Sequence, residues 1–106
     1  MTVHARLEAL ERMVGNRPDD ERLRFGLALE YLAADRAEDG VRELRRYLEA
    51  GTDEGNGWGR LGSALDGLGR REGALEAYEM GIETSMRHGH PTMAEEFREI
   101  VEGMGT

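Results

Sequence analysis

The chain contains no cysteine and no lysine, has only two prolines, and is poor in aromatic residues. Without cysteine it has no disulfide, no thiolate nucleophile and no zinc–thiolate site. Without lysine, all 14 basic residues are arginines, set against 22 acids for a net charge of −8. Nucleic acids and anionic membranes both need Lys/Arg clusters that displace counterions or attract headgroups, so neither is expected as a partner. The densest basic run, Arg42, Arg45 and Arg46, is interleaved with Glu38, Asp39, Glu43 and Glu49 and reads as a solvated helix face. No apolar run approaches the roughly 18 residues of a membrane span. The first residues, Met1 to Arg6, have no apolar core of a secretory signal, so a cytoplasmic location is the default expectation.

The residues that are present suit a helical protein. Apolar residues make up 39% of the chain and charged residues 34%, which is too apolar and too well patterned for disorder. A length of 106 residues gives room for one domain with one continuous core. Apolar spacing predicts six helices and almost no strand. The first runs from about Val3 to Val14 on Val3, Leu7, Leu10 and Val14, closed by Gly15-Asn16. Pro18-Asp19-Asp20 stops the chain and caps a second helix to about Ala34, bearing Leu23, Leu27, Ala28 and Tyr31. A third, about Ala37 to Ala50, buries Val41, Leu44, Tyr47 and Leu48. The fourth, about Glu54 to Leu68, uses Trp58, Leu61, Leu65 and Leu68. Its many glycines cost roughly 0.8–1 kcal/mol each relative to Ala, so its first turn is expected to fray. The fifth, about Arg70 to Arg87, carries Ala74, Leu75, Tyr78 and Ile82. After His88-Gly89-His90-Pro91, Thr92 and Glu95 have capping-box spacing for a last helix bearing Phe97, Ile100, Val101 and Met104. Connections this short make neighbouring helices antiparallel.

A shift of about 34 residues lays these helices on one another. Leu27 falls on Leu61, Ala28 on Gly62, Val41 on Leu75, Leu44 on Tyr78 and Leu48 on Ile82. The stretch from Gly55 to His88 shows Trp58-x-x-Leu61-Gly62-x-x-Leu65, then Gly69, then Ala74-x-x-x-Tyr78. In order and spacing it resembles the tetratricopeptide repeat. The earlier copy departs from the pattern, with Arg24 in the place of Trp58 and Gly40 in the place of Ala74. The resemblance implies an all-α, right-handed α-solenoid of antiparallel helix pairs, read as a single domain over 1–106. Its parts would be a half-repeat (1–18), two repeats (21–54 and 55–88) and a terminal helix (92–104).

The same resemblance implies a protein–protein interaction module or scaffold that holds a partner segment on a concave face lined by the first helix of each hairpin. Carried across by register, that face takes Arg22, Phe25, Leu29 and Ala33 from the second helix. The fourth contributes Asn56, Gly59, Ser63, Asp66 and Gly67. The last contributes Thr92, Glu95, Glu99 and Glu102, after a two-residue insertion near Gly89. The face runs from apolar to acidic, which favours a partner with an apolar anchor and basic residues. It lacks the cations with which one subset of the family clamps a terminal carboxylate. Self-association as a homodimer is the alternative, if Val3, Met13, Ile100 or Met104 stay exposed at the ends of the stack. An enzyme is the third reading, with no motif to support it.

Chemical motifs are sparse. Gly57-Trp58-Gly59-Arg60-Leu61-Gly62 matches G-x-G-x-x-G, yet a phosphate loop needs a preceding strand and here a helix precedes. His4, His88 and His90 match no standard metal-ligand spacing and read as surface residues. No catalytic residue, metal or cofactor is expected.

Overall fold

A computed structural model describes residues 2–105. It contains α1 (Val3–Asn16), α2 (Glu21–Ala33), α3 (Ala37–Glu49), α4 (Asn56–Gly67), α5 (Arg71–Arg87) and α6 (Pro91–Met104), with no strand among the described residues. Two compact units result, one ending at Ala50 and the other beginning at Gly51.

In the first unit α2 packs on both α1 and α3. Leu7, Val14, Leu27 and Tyr31 are buried together, with Leu10, Leu23 and Ala34 packed around them. Asp20 caps α2 by accepting the Leu23 N–H at 3.1 Å. The Tyr31 hydroxyl donates to Glu11 Oε2 at 2.6 Å. Burial, reinforced by that carboxylate, pushes the phenol up to about 12. On α3, Val41, Leu44 and Leu48 are buried while Tyr47 is only half-buried. α1 runs through Gly15 and Asn16, which keep negative φ, and ends on Arg17 instead of in a left-handed closure.

Glu43 also departs from the sequence reading. It does not lie on a solvated face but is buried, and accepts from Arg24 Nη1 at 2.6 Å. Arg24 Nη2 donates in turn to the Pro18 carbonyl at 3.1 Å. The spacing gave no hint of this pair, because its partners lie on different helices.

In the second unit α5 packs on both α4 and α6. Leu61, Leu65, Ala74, Ala77, Tyr78, Ala94 and Phe97 form its apolar interior. Trp58 and Leu68 are half-buried. α4 begins two residues later than its apolar pattern suggested, at Asn56, and its first turn is anchored. The buried Asp53 carboxylate accepts the N–H groups of Gly55, Gly57 and Trp58 at 2.9, 3.0 and 3.4 Å. One carboxylate satisfies donors that every helix start leaves orphaned. α6 starts at Pro91 and carries no side-chain cap, so the Thr92/Glu95 capping box does not form. Proline suits the first helical position, where its missing N–H costs nothing. Glu95 pairs with Arg98 instead, at 3.3 Å.

Helices α2, α4 and α5 end alike. Asp35, Gly69 and Gly89 each take positive φ (62°, 76° and 78°). The next residue's N–H then reaches back five residues: Arg36 to Tyr31, Arg70 to Leu65 and His90 to Ser85, at 2.8–2.9 Å. This is the Schellman closure, in which the left-handed residue is usually glycine. Asp35 is the one L-residue of the three. Replacing it with Gly is expected to raise thermal stability by about 1 kcal/mol, the order of cost of the left-handed region for a residue with a Cβ. A drop in melting temperature for Asp35→Gly would mean that the Asp side chain outweighs this cost.

Candidate partner-binding faces

On α2, Arg22 and Ala33 are exposed, whereas Phe25 and Leu29 are half-buried. The Phe25 ring lies tilted against Tyr47 of α3, centroids 4.7 Å apart. Tyr47 thus supports the ring, which stays half-buried.

In the second unit α4 exposes Asn56, Ser63, Asp66 and Gly67, and α6 exposes Thr92, Glu95, Glu99 and Glu102. Ser63 and Asp66 both act on Tyr78 of α5. Burial pushes that phenol up, the Asp66 carboxylate adds to the effect, and a hydrogen bond from Ser63 partly opposes it. Asp66, Glu99 and Glu102 have no ion pair among the described residues, in contrast to Glu95 with its Arg98.

Gly59 is not on an open face. A Cβ built there would stand 2.6 Å from the Phe97 ring, so Phe97 of α6 covers it. With the two-residue insertion near Gly89, the repeat register makes Phe97 the equivalent of Leu61, which gives no sign of this contact. Its signal was a run of glycines at helix positions with no local reason to be glycine. The whole G-x-G-x-x-G stretch is used in this way. Gly57 donates its N–H to Asp53, Gly59 lies under Phe97, and Gly62 lies under Tyr78, 2.9 Å from where a Cβ would stand. An open depression of about 440 Å³ at the α5–α6 turn is lined by Gly89, His90, Pro91, Thr92, Met93 and Glu96. His90 within it is engaged by Glu54, Nε2 to Oε1 at 2.6 Å, a contact that holds the Glu54 carboxyl below its usual range. Among the described residues no three His, Asp or Glu side chains converge as a metal ligand set would. No helix there is long and apolar enough to cross a membrane.

Short helices packed on their neighbours in the chain, with a residue pattern that recurs at one step of about 34 residues, define a helical-repeat protein. The chain is 39% identical over 83 residues to the TPR repeat-containing protein PA0015 of Pseudomonas aeruginosa PAO1. That match spans 78% of this chain and 79% of PA0015, and the chain belongs to the tetratricopeptide-repeat (TPR) family. The solution structure of BPP2914 from Bordetella parapertussis superposes over 93% of this chain and 86% of its own, with a TM-score of 0.78 and 27% identity. MamA from AMB-1 shares the fold over 92% of this chain and 66% of its own, with a TM-score of 0.65 and 23% identity. No family model matches the chain.

Proposed function

We propose that this TPR protein is a non-enzymatic interaction module that holds a partner polypeptide segment bearing an apolar anchor and basic residues. In this reading Phe25 and Leu29 of α2 receive the apolar side chain, with Arg22 beside them. Asp66 of α4 and Glu99 and Glu102 of α6 receive the cations, flanked by Asn56, Ser63 and Glu95. The observation that carries it is that Asp66, Glu99 and Glu102 are exposed and have no ion pair among the described residues. Carboxylates left without a cation of their own attract an oppositely charged partner and steer its approach. The family supports protein partners in general.

The test is affinity capture from the source lysate with wild type and with a folded Leu29→Glu/Asp66→Arg variant. A peptide array of any captured protein follows. Retention by wild type, loss by the variant and a mapped segment rich in Arg or Lys beside a large apolar residue are the expected results. Equal retention by both, or a mapped acidic segment, would overturn the assignment.

A further inference from the structure

The outward faces of α3 and α5 differ in charge at equivalent repeat positions. α3 buries Val41, Leu44 and Leu48 and leaves Arg45 and Arg46 exposed. Neither arginine has an ion pair or hydrogen bond among the described residues. Arg42, one turn earlier, is already held by Asp39 at 2.6 Å and by Glu43 at 3.1 Å. At the same repeat step, Arg42 and Arg45 fall on Glu76 and Glu79, and Arg46 falls on Met80. On α5 those residues and Glu83 line an open depression of about 350 Å³. All are exposed, Met80 at 38%, and the three carboxylates have no ion pair among the described residues.

The two surfaces are complementary in charge. An arginine has a long apolar stem that lies well over a methionine, and a planar head that bonds carboxylates in pairs. Spaced three and four residues apart on one helix, Glu76, Glu79 and Glu83 repel one another until a cation comes between them. The edges match as well. Exposed Glu49 borders the α3 patch, and exposed Arg87 lies one turn beyond the α5 depression.

We propose that the occupant of the α5 depression is a second copy of this chain. Arg45 and Arg46 of one copy seat against Glu79 and Glu83 of the other, with their stems over Met80. Each copy carries both halves, so the contact either closes as a two-fold dimer or continues from copy to copy. The faces involved are not those proposed to hold a partner segment, so this inference stands independently of that reading.

Sedimentation equilibrium across protein concentration tests it, with folding of each variant checked by circular dichroism. In about 50 mM salt, wild type is expected to associate, and in about 500 mM salt to weaken on the order of tenfold as screening shortens. Arg45→Glu/Arg46→Glu alone and Glu79→Arg/Glu83→Arg alone are each expected to be monomeric, and an equimolar mixture of the two to form mixed assemblies. Two outcomes would overturn the proposal. One is a monomeric wild type at every concentration and low salt. The other is association that persists in both charge-reversed variants, which would move the contact to the exposed apolar Val3, Met13 or Ile100.

Discussion

Glu43→Ala is expected to destabilise the first unit by about 3–5 kcal/mol, the usual cost of leaving one member of a buried ion pair alone. The Arg24 and Glu43 side chains are only 14% and 7% exposed, so little water reaches the guanidinium once its carboxylate is gone. The repeat supplies an internal control. One step along the chain, Arg24 falls on Trp58 and Glu43 on Ala77. The second unit thus fills the same place with a half-buried indole and a buried methyl. The double variant Arg24→Trp/Glu43→Ala is accordingly expected to recover the wild-type stability or exceed it, since apolar packing commonly matches or betters a buried pair. Urea titration followed by circular dichroism reads both variants. A Glu43→Ala midpoint equal to wild type would show that the pair is hydrated and contributes little. A double variant no better than the single would show that the second unit's solution does not transfer.

Phe97→Ala is expected to cost the second unit about 3–5 kcal/mol, the range for removing a buried phenyl group. The ring occupies a socket shaped by glycines on two different helices. A Cβ at Gly59 would stand 2.6 Å from it and one at Gly81 would stand 2.9 Å away, while the Tyr78 ring lies tilted at 5.7 Å. α6 has no other large apolar side chain so fully buried, since Ile100 is 40% exposed. Its loss should therefore release α6 first, seen as faster hydrogen exchange confined to residues 91–104. Gly59→Ala tests the socket from the other side. Alanine gains about 0.8–1 kcal/mol of helix propensity, but crowding the phenyl costs about 1–3 kcal/mol, and crowding is expected to win. Gly26→Ala has no neighbour within 4 Å of its new methyl and should show the propensity gain alone. Stabilisation by both substitutions would mean that Phe97 moves aside at no cost.

Much of this was legible from residue types at fixed spacing. The six helices follow from apolar periodicity, since one face of a 3.6-residue turn must leave water. The turn after α4 follows from Gly69, whose counterpart Asp35 adopts the same left-handed backbone. The repeat step and the Trp58, Leu61, Gly62, Ala74 and Tyr78 pattern are enough to place the chain among tetratricopeptide repeats. The candidate face was legible only as a list of positions. Among the described residues, Asp66, Glu99 and Glu102 have no ion pair while Glu95 has Arg98, a difference set by where the side chains are placed.

Helix ends and polar contacts were less accessible. Capping depends on which donor reaches which acceptor, so Asp53 anchors α4 and Pro91 opens α6 where a spacing rule favoured Thr92. By itself, the sequence determined the helices, their pairing and their family, because these rest on local periodicity and repetition. Only the tertiary structure decided that Arg24 and Glu43 form a buried pair and that Gly59 cradles Phe97. Each of those contacts joins residues far apart in the chain, and the energy of a buried charge or a close approach depends on what stands opposite it.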